Sequence, residues 1–236
     1  MRSPRSPRAR LGALRRDVQT LTGLLRGRRP SPTIRTGTQE RRASDTRILQ
    51  VRKVVQETPD AVSLWLDPVD ASPIPYAPGQ FLTLLVPFEG TVLRRAYSLS
   101  SVPGLDRGLR ITVKRQPEGR ISGLLCGTVA AGQRLEVRGP SGRFTLTPRP
   151  TRARRLLLIG AGSGITPLFG VLRAVLNAEP DAQIALLYGN RAPEDVIFGD
   201  ALRGLAEDHQ GRFTLRETLE RSPEGWQGGV GRLDAQ

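Results

Sequence analysis

The stretch Leu156-Leu157-Leu158-Ile159-Gly160-Ala161-Gly162-Ser163-Gly164-Ile165-Thr166-Pro167 decides the second half of the fold. Its opening apolar run has the length and composition of a buried strand. Gly160, Gly162 and Gly164 follow, and then a helical apolar spacing over Ile165–Asn177. In a strand–loop–helix setting the glycines have a mechanical reason. Without a Cβ the backbone turns sharply and comes close to an anionic group such as a pyrophosphate. The helix start then offers free N–H groups and a partial positive charge. Pro167 suits a first helical turn, where a missing N–H costs little. Thr166 has two roles open to it, a hydroxyl turned to a ligand or a cap. The spacing departs from a dinucleotide fingerprint with Gly at positions one, three and six, so an ordinary tight turn stays open beside it.

Downstream, Ile184–Tyr188 is a strand, Val196–Glu207 a helix and Phe213–Glu217 a strand. Alternation of this kind builds a parallel sheet. The strand ending at Tyr188 runs into Gly189-Asn190-Arg191, and in open α/β sheets such carboxyl ends face the ligand. Asn190 and Arg191 are therefore candidate contacts. An Arg here suits an adenosine 2′-phosphate and so favours NADPH over NADH; a solvent-exposed arginine is the alternative.

Upstream the style is different. Ile48–Gln56, Ala61–Asp67, Gln80–Pro87, Arg94–Ser100, Leu109–Arg115, Arg134–Arg138 and Arg143–Leu146 are rich in β-formers, with Pro, Gly and Asp turn signals between them. Many short strands with regular turns describe a small antiparallel β-barrel, with a short helix over Ile121–Val129. The expected order is a basic tail over 1–44, a barrel over 45–147, a linker over 148–154 and a doubly wound α/β domain over 155–236.

The net charge is +14 over 236 residues, but it is uneven. Residues 1–44 hold twelve Arg against Asp17 and Glu40, so most of the excess lies there. Leu11, Leu14, Val18, Leu21, Leu24 and Leu25 follow a helical stripe with Arg15, Arg16 and Arg26 around it. The tail is thus a solvated extension, a basic amphipathic helix touching a membrane surface or partner, or an Arg-rich transit segment. Nucleic acid is not expected, since no aromatic or motif feature accompanies the charge. With no secretory signal and no apolar run of about 18 residues, a cytoplasmic setting is expected. Cys126 is the only cysteine. One thiol cannot carry an iron–sulfur cluster, which takes about four, so Cys126 reads as a small core residue and no metal site is expected.

In the barrel half, Arg95-Ala96-Tyr97-Ser98 lies on a strand. An Arg fork can hold a diphosphate, a Tyr face can stack on a ring, and a Ser can bond a heteroatom at a ring edge. Gly119-Arg120-Ile121-Ser122 opens the short helix, a second anion site by the same helix-start argument. Each alone could equally be a polar strand or a cap. With Gly139-Pro140-Ser141-Gly142-Arg143-Phe144 and the glycine loop, they occur in the order of the ferredoxin–NADP reductase superfamily, which the chain resembles from about Ile48 to Asp234. Tyr188–Arg191 and Gly231-Arg232-Leu233-Asp234 look most like the reductase components of bacterial multicomponent oxygenases, phenylacetyl-CoA epoxidase reductases among them.

The resemblance implies a flavin-dependent oxidoreductase with FAD in the barrel and NADH or NADPH in the second domain, passing single electrons to an iron–sulfur protein or oxygenase component. Arg95 and Ala96 would lie along the FAD pyrophosphate, Tyr97 against the flavin, and Ser98 at flavin N5. Val113, Lys114 and Arg115 would line the flavin and ribityl chain. Gly119, Arg120, Ile121 and Ser122 would take phosphate, and Gly160, Gly162, Gly164, Thr166 and Pro167 the nicotinamide dinucleotide. Ser98 and Thr166 are the residues expected nearest the reaction, where nicotinamide C4 must come within about 3–3.5 Å of flavin N5. The family's later Cys-Gly-Pro strand has no counterpart here, so the α/β domain is expected to lack its last elements. A non-catalytic FAD-binding module, disabled by that gap, is the alternative; a surface- or nucleic-acid-binding protein driven by its tail is the remaining one.

Overall fold

The computed structural model describes residues 46–233; the expectations for the tail, 1–44, lie outside them. Six strands form the first sheet: β1 (Thr46–Thr58), β2 (Ala61–Pro68), β3 (Phe81–Phe88), β4 (Thr91–Ser98), β5 (Leu109–Lys114) and β6 (Arg134–Ser141). Their order is β4-β3-β6-β1-β2-β5, and every pair is antiparallel. The chain leaving β4 closes the sheet onto β5 through a Leu99–Ile111 bridge and a Ser100 N–H bond to the Arg110 carbonyl of 2.8 Å. The result is the expected barrel. Its core holds Leu49, Leu64, Leu82, Leu84, Ile111 and Val137, all fully buried. Helix α1 (Arg120–Gly127) follows β5 and sets Ile121 and Leu125 into that core.

Arg143–Leu146, expected as a strand, is not one. Gly142 takes a φ of +114°, Thr145 N–H turns back to the Arg143 carbonyl, and Phe144 stays exposed. The pleat is broken at its start, so the apolar residues cannot alternate across a sheet.

The second sheet is parallel, in the order β10-β9-β8-β7. It is made of β7 (Arg155–Ala161), β8 (Gln183–Asn190), β9 (Phe213–Leu219) and a short β10 (Gly229–Val230) that the sequence pattern missed. Helices α2 (Ile165–Ala178) and α3 (Gly199–Asp208) share one core with Ile184, Leu186, Tyr188, Phe213 and Leu219. The helix expected from Val196 starts at Gly199, because Phe198 takes a left-handed φ of 62° and its ring stacks on Phe169 at 4.3 Å. β7 has no strand on its outer side among the described residues, and Leu157 and Ile159 are exposed on it. No helix among the described residues is long and apolar enough to cross a membrane.

The two sheets are locked together by α2. Gly170 lets the helix settle on the backbone of Leu99–Ser101, whose carbonyls would crowd a Cβ at 3.2 Å and 3.4 Å. Arg173 makes a two-pronged bond to Asp106 of 2.6 Å and 2.9 Å. The Arg110 guanidinium, rooted on β5, lies within 5.1 Å of the ring centres of Trp65, Phe169 and Phe198. These contacts fix where the end of β4 faces the start of α2.

Candidate active site

The site grows from two strand ends. On β5 the alternation sends Leu109, Ile111 and Val113 into the barrel core and leaves Arg110, Thr112 and Lys114 on the other face. Val113, expected along the flavin, therefore has its side chain fully buried in the core instead. β4 brings Arg95, Ala96, Tyr97 and Ser98 alongside. A cavity of about 470 Å³ is lined by these four, by Thr112, Lys114 and Gln116, by Gly119–Ser122, and by Ser163 and Thr166. Residues more than 60 positions apart, on both sheets, thus share one cleft. Thr112, Gln116 and Ser163 were not named from the sequence: Thr112 and Gln116 belong to no short motif, and Ser163, though inside the glycine loop, sits between the glycines that drew the reading.

The cleft suits a flat, anionic group. Arg95 is exposed, with one guanidinium nitrogen bonded to the Arg94 carbonyl at 2.8 Å. Tyr97 is half-buried, and that burial pushes its phenol up to about 12, so the ring stays neutral. Gly119 caps α1 without any side-chain bond to the first turn, which leaves helix-start N–H groups open to an anion. Gly119 must be glycine, since a Cβ there would run into Ser122 Oγ and Gln116. Ser122 itself is buried; its hydroxyl donates to the Gly119 carbonyl at 3.2 Å and accepts from Gln116 N–H at 3.0 Å. It holds the loop, and the backbone N–H groups at the start of α1 are the donors left open to an anion. These features fit the flavin and diphosphate of FAD.

Across the cleft, Gly160 is glycine for packing, because a Cβ would meet Leu168 of α2 at 2.7 Å. Gly162 (φ +49°) and Gly164 have open space where a Cβ would be. The loop runs through a single tight turn, Gly162–Gly164, straight into α2, again with no side-chain cap. Thr166 donates to the Ser163 carbonyl at 2.7 Å, holding that turn from within, and Pro167 sits in the first turn of α2. Tyr188 reaches over to donate to the Gly162 carbonyl at 3.0 Å. Beside it Asn190 is buried with both amide atoms unpartnered, and Glu217 has one unpartnered oxygen. Burial raises the Glu217 carboxyl, and Arg203 at 3.7 Å offsets only part of this. A buried carboxamide without partners, at a strand end beside an open glycine loop, fits a polar ligand such as a dinucleotide.

Arg191 does not stand free. It bonds Asp195 at 2.6 Å and Asp60 at 3.1 Å, and Lys114 reaches the same two carboxylates at 3.1 Å and 3.7 Å. Lys114, Arg191 and Asp60 line a second cavity of about 750 Å³, together with Arg115, Arg120 and Phe88. The two cavities adjoin through Lys114, Gln116, Gly119 and Arg120.

Residues 48–146 match the oxidoreductase FAD-binding domain family, and residues 158–236 the oxidoreductase NAD-binding domain family. The chain belongs to the ferredoxin–NADP reductase superfamily. It is 45% identical over 181 residues to the 3-ketosteroid-9-alpha-monooxygenase ferredoxin reductase component of Mycobacterium tuberculosis, covering 73% of this chain and 49% of that one. It is 38% identical over 185 residues to one of the proteins that make up the 1,2-phenylacetyl-CoA epoxidase of Escherichia coli, covering 73% and 50%. The crystal structure of Amycolatopsis cytochrome P450 reductase GcoB superposes with a TM-score of 0.68 at 32% identity, over 78% of this chain and 56% of that one. The chain spans about half the length of the curated relatives it matches.

Proposed function

We propose that this ferredoxin reductase-type chain takes electrons from NADH or NADPH onto FAD and passes them singly to a cytoplasmic iron–sulfur protein or oxygenase component. Residues 45–147 would hold FAD, and residues 155–236 the dinucleotide. The observation that carries this is the single cleft lined by Arg95–Ser98 and Gly119–Ser122 on one side and by Ser163 and Thr166 on the other. When bound, FAD supplies the conversion between a two-electron donor and one-electron acceptors.

The chain's own part is binding, orientation and exclusion of water. Arg95 and the α1 start would hold the FAD pyrophosphate, with Arg120 and Arg115 adding positive charge in the adjoining cavity. Tyr97, kept neutral by burial, offers a flat apolar face to the ring. Gly162 and Gly164 let the dinucleotide backbone approach, and Ser98 and Thr166 edge the space where the two rings would meet. The mild basicity of the folded part suits an acidic electron acceptor.

Purified protein loaded with FAD is expected to be yellow and to bleach anaerobically on adding NADH or NADPH. Arg95→Ala is expected to weaken FAD binding about 10- to 150-fold, the loss of a charge-assisted phosphate contact of about 1.5–3 kcal/mol. Equilibrium titration of the apoprotein with FAD checks it; unchanged affinity would put the pyrophosphate elsewhere. FAD binding without reduction by either dinucleotide is the outcome that favours a non-catalytic module.

A further inference from the structure

We propose that Tyr188 is a positioning residue for the dinucleotide: its phenol holds the Gly162 carbonyl against the sheet and so turns the Ser163 N–H out to the phosphates. This deepens, and rests on, the binding of the dinucleotide at the Gly162 loop.

Tyr188 lies on the core face of β8 with Ile184 and Leu186, and it is fully buried. Its neighbour across the sheet is Gly160 of β7, which has no side chain, and the ring reaches past it to the loop. There the phenol donates to the Gly162 carbonyl at 3.0 Å. Burial pushes this phenol well above its ordinary value, so the proton that makes the bond stays in place. Any buried phenol needs an acceptor, but this one takes a carbonyl of the open loop. Two residues on, on the same face of the strand, Asn190 is buried with both amide atoms unpartnered, which points to a polar ligand at this strand end.

Gly162 stands at a left-handed φ of +49°, with open space where its Cβ would be. Glycine crosses between backbone conformations at little cost, so the residue itself does not keep the Gly162–Ser163 peptide in one orientation. The bonds that its carbonyl accepts do, one from Tyr188 and one from the Ile165 N–H. A trans peptide is planar, with its C=O and N–H pointing opposite ways. Holding the carbonyl toward β8 therefore turns the Ser163 N–H away from it, to the cleft that Ser163 lines. Ser163 is exposed there and no side chain caps the turn, so an anion has access to this N–H. Thr166 pins the next carbonyl, that of Ser163, at 2.7 Å. Two hydroxyls, one from the sheet and one from α2, thus fix two successive peptides of the loop.

The test is Tyr188→Phe, which keeps the ring and removes one hydroxyl, with NAD⁺ and NADP⁺ titrated separately by calorimetry into the FAD-loaded full chain. Whichever of the two the wild type binds is expected to bind the variant about two- to tenfold more weakly, the worth of one neutral hydrogen bond. If both bind, both should weaken by the same factor, since the loop meets the phosphates they share. FAD affinity should not change, and KM for the matching reduced dinucleotide should rise while kcat is kept. Unchanged dinucleotide affinity beside a lowered melting temperature would mean that the phenol only packs, and overturns the proposal; an equal loss of FAD affinity does the same. Because a variant at a buried position can fail to fold, nitrogen-15 spectra of the wild type supply a second reading. The Ser163 amide proton is expected to move downfield as dinucleotide is added, and an unmoved Ser163 amide in a protein that binds dinucleotide sinks the idea. A wild type that binds neither dinucleotide overturns the reading of the Gly162 loop beneath it.

Discussion

Glu179→Ala is expected to destabilise the fold by about 3–5 kcal/mol, the range for leaving one half of a buried ion pair alone. Glu179 ends α2 with no exposed surface. Its carboxylate receives both arms of Arg154 and the Arg149 N–H, so it anchors the chain just before β7. Its carbonyl accepts from Arg212, just ahead of β9. Removing the carboxylate strands Arg154, whose side chain is only 15% exposed, and orphans a backbone donor. Burial alone would raise the Glu179 carboxyl; the bonds from Arg154 and Arg149 outweigh this and hold it below the ordinary value. The pH dependence follows from that sign. A depressed carboxylate contributes its full stability above its unfolded value of about 4.3, and loses it as pH falls through the folded value. Urea midpoints of wild type and variant are thus expected to differ most at neutral pH and to converge below about pH 4. A gap that stays constant down to pH 3 would show that shape, not charge, is what Glu179 supplies.

What was legible in the sequence is what short-range chemistry decides. Leu156–Ile159 pointed to a strand because nothing else suits four apolar residues ahead of a glycine loop, and β7 with α2 formed around it. The barrel followed from turn residues, and the expected strands before Arg143 formed within a few residues of where they were placed. Arg143–Leu146 went astray because a β-rich composition does not reveal that Gly142 will turn the backbone to a positive φ. β10 was invisible because two residues carry no period.

The site divides along the same line. Arg95–Ser98, Gly119–Ser122 and Thr166 were named from motifs and lie in one cleft. Val113 was named with Lys114 and Arg115 through the family resemblance; the two-residue alternation turns its side chain inward while Lys114 faces the cleft. The fate of Arg191 could be read only in part. Asp195 lies four residues on, within local reach, but Asp60 lies 131 residues away, and the bond between Lys114 and Asp195 spans 81. Pairings of that range depend on how α2 seats against the barrel, which no local pattern encodes.

Arg110 takes part in that seating, and Arg110→Ala is expected to cost about 3–4 kcal/mol. The guanidinium is ringed by Trp65 at 5.0 Å, Phe169 at 5.1 Å and Phe198 at 4.8 Å, one ring from the barrel and two from the α/β part. It also donates to Ser100 Oγ at 2.8 Å and to the Ser100 carbonyl at 3.0 Å. Desolvated cation–π contacts reach about 2 kcal/mol, and charge-assisted hydrogen bonds add about 1.5–3 kcal/mol. Burial lowers the Arg110 pKa, but an arginine starts so high that the charge persists. Truncation leaves a hole between the two sheets and frees Ser100 from its donors. At about 2–4 °C per kcal/mol, the melting temperature should fall by about 6–16 °C. Arg110→Lys should recover little, because a compact ammonium cannot present a flat fork to three rings and Ser100 together. Arg107→Ala, at an exposed position three residues away, should change stability by no more than about 0.5 kcal/mol. The distinguishing readout is calorimetric. If Arg110 couples the sheets, its loss should broaden or split a single unfolding transition, since the barrel and the α/β core each bury their own apolar cluster. A sharp single transition at an unchanged temperature would mean that Gly170 and the Arg173–Asp106 pair hold the halves without it.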